Sequence, residues 1–219
     1  MKARFFQFHS SPFCAKVRRI LEYKGIEYET VEVDYVDRAE LLRVSGQLYV
    51  PVLQLENEVL IDSTPIAMRL EELHPSPTIF PPGTRGVQLS LTRFFDEQLE
   101  DAIFKVALPD EIKHYRRQGK LQEAFFRLIR DRIYGAGFCD RIEKERAQNV
   151  QHMERELEPL EGALEGKGFL LGRIGLADFA LYGQLWFLGF TGELKIPERF
   201  PNLRAFYQRL NSISAVAEV

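Results

Sequence analysis

Ser11-Pro12-Phe13-Cys14 places a hydroxyl and a thiol between an apolar run, Phe5-Phe6-Gln7-Phe8, and an amphipathic stretch with Val17, Ile20 and Leu21. The run reads as a strand and the stretch as a helix, so both groups fall at a helix start. There the first N–H groups lack partners and the macrodipole is positive, which favours an anion; for sulfur the anion is a thiolate. Pro12 suits the first helical turn, where its missing donor costs nothing, and Gly25 stands where the helix ends and φ > 0 is wanted. The same residues also describe a helix start without chemistry, a serine N-cap followed by proline.

The elements that must position this turn follow in order. Tyr28 to Val33 is β-branched and aromatic, with Val31 and Val33 on one face. Asp37 to Val44 reads as a short helix, and Val50 to Leu55 as a strand opened by proline. Glu56-Asn57-Glu58 is a polar turn before Val59-Leu60-Ile61, and Asp62-Ser63 opens a helix with Ile66, Leu70 and Leu73 on one face. The order is β-α-β-α-β-β-α. Pro51 heads a core strand, where proline is tolerated but removes a ladder donor; a cis Val50–Pro51 bond is the expectation, turning the Val50 backbone toward the Ser11 turn.

Ser11-Pro12-Phe13-Cys14 has the Cys-x-x-Cys layout of glutaredoxin-like proteins with serine at the first position. With Val50-Pro51-Val52-Leu53 and Asp62-Ser63 downstream, the N-terminal portion resembles the thioredoxin-like domain of cytosolic glutathione transferases. The resemblance implies an α/β thioredoxin-like domain followed by an all-helical one. It implies Ser11 as the catalytic hydroxyl donating to the glutathione sulfur, Val50 and Pro51 as the cis-proline loop, and Asp62 with Ser63 at the γ-glutamyl end. Phe13 belongs to the pocket wall, Gln47 is a candidate for the glycyl carboxylate with Arg38 as another, and Cys14 is a candidate redox group. Two features depart from the pattern: Asp62 stands where Glu or Gln is usual, and Tyr49 precedes Val50. The family likeness further implies a homodimer.

The chain has 219 residues, 45% of them hydrophobic, enough for two cores. Pro75, Pro77, Pro81, Pro82 and Gly83 interrupt the segment His74–Gly86, so a first domain over 1–80, a linker over 81–86 and a helical domain over 87–219 are expected. Stripes at helical spacing follow, among them Leu91 to Ile103, then Leu121, Phe125, Leu128 and Ile129, then Val150 to Leu164; each reads as core packing. The stretch from Phe169 to Leu188 is apolar nearly all round, as in a buried helix. At its start Ile174 and Phe179 form a hydrophobic staple around a cap in which Asp178 reaches back. Gly175 lacks the hydroxyl of the usual cap, leaving half of the reciprocal pair.

Charge and spacing narrow the function. The net charge is −3, with 29 basic and 32 acidic residues and no basic face, so nucleic acid is not an expected partner. Two cysteines and no signal peptide point to a reducing cytoplasm. No apolar run of about 18 residues suggests a membrane span. His9, His74, His114 and His152 are scattered, so no metal site is expected; His9, just before the turn, is a candidate for a pocket lining. The preferred reading is a transferase with glutathione as co-substrate, attacking small apolar electrophiles lodged against residues Phe94 to Tyr115. A glutathione-dependent thiol–disulfide oxidoreductase using Cys14, and a catalytically silent transferase-like interaction module, are the alternatives.

Overall fold

The computed structural model describes residues 3–213. Its first part has the expected order: β1 (Ala3–Gln7), α1 (Pro12–Tyr23), β2 (Tyr28–Glu32), α2 (Ala39–Ser45), β3 (Val52–Gln54), β4 (Val59–Ile61) and α3 (Ser63–Leu73). The strands form one sheet ordered β2-β1-β3-β4. The α1 crossover makes β2 parallel to β1, whereas β3 runs antiparallel to β1 with Phe5 opposite Leu53, and the Glu56–Glu58 turn returns β4 antiparallel to β3. Side chains alternate across the sheet. Phe5 and Leu53 therefore enter the large core with α1 and α3, while Phe6 and Val52 pack with Leu41 of α2 on the other face.

Ser11 caps α1, and Gly25 follows its end at φ 65°. The Val50–Pro51 bond is cis. One detail differs from expectation: Leu73, the last residue of α3, is 41% exposed, beyond the reach of the sheet that covers Ile66 and Leu70.

No helix or strand lies between Leu73 and α4 (Arg85–Phe94). A π-turn over Phe95–Leu99 joins α4 to α5 (Glu100–Gln118), followed by α6 (Lys120–Tyr134), α7 (Phe138–Lys144), α8 (Arg146–Ala163), α9 (Leu176–Phe187) and α10 (Pro201–Asn211). The stripe on α8 is core, with Met153, Leu157 and Leu160 buried. On α6 the expectation fails: Leu121 and Leu128 are exposed and only Phe126 is fully buried, because this helix lies at the edge of the bundle. α9 is buried along almost its whole length, whereas Phe169–Ile174 before it is turn rather than helix.

The α9 cap is more complete than the sequence suggests. Asp178 accepts from the Gly175 N–H and the Leu170 N–H, each at 2.9 Å. In place of a cap hydroxyl, the buried Gln88 of α4 accepts the Ala177 N–H at 2.8 Å. A Cβ on Gly175 would stand 2.0 Å from Gln88 Nε2, so the glycine makes room for a cap delivered from another helix. Helix-start N–H groups in a dry interior must be satisfied somewhere, and here two side chains share the task.

Two substitutions check this arrangement. Asp178→Ala orphans two buried N–H groups and is expected to lower unfolding stability by about 2–4 kcal/mol. Gly175→Ser restores the customary cap residue yet should also destabilise, by about 1–3 kcal/mol, because it displaces Gln88. Urea unfolding of both variants measures the effect; a Gly175→Ser variant as stable as the parent would show that Gln88 is not the cap.

Candidate functional site

The site begins at the β1–α1 turn. The Ser11 N–H donates to the Phe8 carbonyl at 3.0 Å, and the Ser11 hydroxyl accepts from the Cys14 N–H at 3.3 Å. Its own hydrogen is given to no acceptor among the described residues, leaving it free for a ligand atom at the helix N-terminus. Cys14 points the other way. It is completely buried, and burial pushes its thiol up to about 12, against a smaller pull from the Ser11 hydrogen bond. At neutral pH it stays a protonated thiol.

Two clefts meet at this turn. One is lined by Phe13, Gln47, Tyr49, Val50, Pro51, Ile61 and Asp62. The other contains Ser11 and is walled by Phe8, Pro12, Phe13, Tyr35, Phe104 and Phe187, with Arg38, Glu100, Glu111 and Arg130 among its lining. Phe13, Tyr49 and Val50 belong to both. The expected residues Phe13, Gln47, Val50, Pro51 and Asp62 are thus brought together. Arg38 lines the Ser11 cleft instead; it donates to the carbonyls of Tyr35 and Leu48 and lies over the Tyr35 and Phe8 rings. His9 belongs to a separate depression with Glu32 and His114.

Asp62 is the one non-glycine residue with positive φ among the described residues, at φ 70° and ψ 141°. Such backbone costs about 1–3 kcal/mol and persists where surroundings enforce it. Ser63, next to it, is buried, and its hydroxyl accepts from the Lys16 ammonium at 3.2 Å. Lys16 also reaches Thr64 Oγ1 at 2.8 Å and Asp96 of the π-turn at 2.7 Å. Burial lowers the Lys16 pKa and raises that of Asp96, each opposed by the partner's charge. Neither residue was singled out in the sequence. The one hint is a lysine four residues before the core residue Ile20, on the buried face of α1.

The helical half supplies the far wall. Glu100, Phe104 and Glu111 lie within about 40° of one another around α5, so one stripe of that helix faces the Ser11 cleft. Glu100, Phe104 and Glu111 all fall within the expected Phe94–Tyr115 lining. Ile129, Arg130 and Ile133 of α6, and Phe187 of α9, do not. The charged groups also mean that this cleft is not apolar throughout. Among the described residues no group of three or more metal-ligating side chains is present, and no helix is long and apolar enough to cross a membrane.

The Glu100 carboxyl yields a pH test. Burial drives it from the ordinary 4.5 to about 7; Arg130 pulls it down, while Asp101, Glu111 and Asp96 push it further up. Between those two values the folded chain holds a proton that the unfolded chain has lost. Stability therefore falls as pH rises through this window, by at most about 3 kcal/mol, and this contribution levels off above it. Glu100→Gln, which cannot ionise, is expected to flatten that part of the profile, read from urea midpoints at about pH 5 and about pH 8.

Known proteins share both halves of this arrangement. Residues 5–78 match the family model of the glutathione S-transferase N-terminal domain, and residues 143–209 that of the glutathione S-transferase C-terminal domain. A probable glutathione S-transferase of rice, Oryza sativa subsp. japonica, is 27% identical over 227 residues, covering 96% of this chain and 84% of the rice protein. The glutathione transferase GSTFuA3 of Phanerochaete chrysosporium superposes with a TM-score of 0.82 at 23% identity, covering 100% of this chain and 99% of that one. A glutathione S-transferase of Ceriporiopsis subvermispora, solved in complex with glutathione, gives a TM-score of 0.81 at 19% identity over 100% of both chains. The solved structures establish the fold, the two domain matches together span more than half of the sequence, and the chain belongs to the glutathione S-transferase superfamily.

Proposed function

We propose that the protein binds glutathione across the two joined clefts and activates its sulfur at Ser11 for attack on an electrophile held beneath α5 and α6. The observation that carries this reading is the junction itself. The cleft with Gln47, Val50, Pro51 and Asp62 runs into the cleft with Ser11 through Phe13, Tyr49 and Val50. A tripeptide with its γ-glutamyl end at Asp62 and Ser63 and its backbone along Val50 then brings its thiol to the α1 N-terminus. There the Ser11 hydroxyl donates to the sulfur, and the helix start favours the thiolate. Holding this nucleophile beside a walled cleft adds proximity to activation. Gln47 lines the same cleft as Asp62, which supports it over Arg38 as the partner of the glycyl carboxylate.

Disulfide exchange through Cys14 is the weaker reading, since a buried thiol raised to about 12 is neither exposed nor ionised. A silent interaction module is distinguished by experiment: retention on immobilised glutathione and turnover of a generic aromatic halide support the transferase, and loss of both supports the module. The family likeness supports a homodimer and a cytoplasmic site of action. Sedimentation showing only monomer at micromolar concentration contradicts the dimer.

Asp62→Gly separates binding from folding. It relieves the positive-φ strain, so stability is kept or raised by up to about 1 kcal/mol, while retention on immobilised glutathione is lost. Unchanged retention would remove Asp62 from the ligand.

Substitutions at Ser11 test the sulfur position. Ser11→Ala is expected to leave glutathione bound but raise the pKa of its thiol, slowing conjugation chiefly below that pKa. Ser11→Cys puts a thiol at the helix N-terminus, where its pKa falls to roughly 3.5–7.5, and should yield a glutathione mixed disulfide by mass spectrometry. Wild-type conjugation by the alanine variant across the pH range, with no adduct on the cysteine variant, would place the sulfur elsewhere.

A further inference from the structure

One edge of the sheet is open. β2 ends the order β2-β1-β3-β4 and, among the described residues, pairs with β1 alone. The Val33 N–H donates to the Gln7 carbonyl at 2.9 Å, and backbone groups alternate in direction along a strand, so Val31 and Val33 turn toward β1. The N–H and C=O of Thr30 and Glu32 then point away from the sheet. Both residues are exposed.

A groove of about 560 Å³ lies beside this edge, between β2 and α2, and shares no lining residue with the two clefts at Ser11. Its floor is apolar, built from Phe6, Val31, Val33 and Leu41. Its acidic lining, Glu32, Asp34, Asp37 and Glu40, is opposed by one cation, Arg43. Most of these carboxylates are held in place yet keep an oxygen to offer. Asp34 Oδ1 accepts from the Val36 and Asp37 N–H groups at 2.7 and 2.8 Å, Asp37 Oδ1 from the Ala39 N–H at 3.0 Å, and Glu40 Oε1 from Arg4 at 2.7 Å. The second oxygen of each has no hydrogen-bond partner among the described residues. Glu32 alone uses both, on Gln7 and the His9 N–H.

We infer that this edge and groove dock an extended segment of a partner protein that carries Lys or Arg at alternate positions, added to the sheet beside β2. A long basic side chain matches both parts of the groove: its aliphatic stem covers an apolar floor while its charged head reaches a carboxylate rim. Every second side chain of an added strand falls on one face, so basic residues two apart enter the groove together. Main-chain hydrogen bonds to Thr30 and Glu32 hold the segment in register. A second copy of this chain is a poor occupant, because Glu27, Glu29 and Glu32 stand exposed along the same edge and pairing β2 with itself sets like charges across the seam. The charge that repels a copy selects a basic partner. This surface is independent of glutathione binding, since no residue altered below lines the Ser11 clefts.

The probe is the fluorescently labelled, capped peptide Thr-Lys-Thr-Lys-Thr-Lys-Thr, followed by anisotropy, with a peptide carrying Glu in place of each Lys as control. Binding of the lysine peptide that weakens as salt is raised, and none of the glutamate peptide, is expected. Asp34→Asn, Asp37→Asn and Glu40→Gln together keep the acceptors that hold the loop but remove three charges, and should weaken binding about 10-fold or more at low ionic strength. Thr30→Pro removes an N–H that β1 does not use and should abolish binding while the urea midpoint stays near that of the parent. Should the proline variant fail to fold, amide exchange of the wild-type protein reads the same point: the Thr30 and Glu32 amides are expected to slow when the lysine peptide is bound. Binding without that protection overturns the proposal. Equal affinity of the three-charge variant and the parent, equal binding of the two peptides, or no binding at millimolar peptide overturns it as well.

Discussion

The Lys16 ammonium is carried out of water on α1 and met by oxygens of Ser63 and Thr64 at the start of α3 and of Asp96 in the π-turn before α5. Desolvating a cation and a carboxylate is expensive, and removing either member of such a pair strands a buried charge at a cost of several kcal/mol. The contact therefore works as a positional constraint more than as a source of stability. It ties the helix that begins at Ser11 to the turn that presents Asp62, and both to the helical half. A π-turn widens the backbone by one residue per turn and re-aims a side chain, which here delivers Asp96 to the ammonium.

A second contact fixes the same geometry by sterics. Gly183 of α9 lets that helix approach α1 so closely that a Cβ would lie 2.4 Å from the Pro12 carbonyl oxygen. The α1 start is thus pressed from behind by a buried helix, while Ser11, Pro12 and Phe13 line the cleft in front of it. The cap on α9 matters for the same reason: Asp178 and Gln88 anchor the helix that backs the Ser11 turn.

The two sulfur-related positions show how depth alone divides chemistry. Ser11 and Cys14 are three residues apart on one helical turn, yet Ser11 is half-buried at the rim of the cleft and Cys14 is sealed beneath it. The cleft opposite is likewise divided. Phenyl rings line its sides, while Glu100, Glu111 and Arg130 place charge among them, with Glu100 held largely protonated below about 7 by burial. Such a lining discriminates by the polarity of a ligand as well as by its shape.

The first half of the fold was legible because its signals are local: the alternation around Phe5, the Ser11-Pro12 helix start, Gly25 after α1 and the Asp62-Ser63 entry into α3 each depend on neighbours within a few residues. The same holds for Asp178 reaching back to Gly175, three residues away. What remained illegible joins residues far apart. Gln88 completes a cap 89 residues downstream, and Lys16 meets Asp96 across 80 residues. Arg130 enters the cleft from a helix whose apolar stripe predicted burial, though Leu121 and Leu128 face outward. By itself the sequence determined the order of elements, the turn that carries Ser11 and the family likeness, because backbone propensity and motif spacing act along the chain. The tertiary structure alone decided which charges share the cleft, which thiol is sealed and which side chain caps α9, because desolvation and steric contact depend on what packs from outside the local segment.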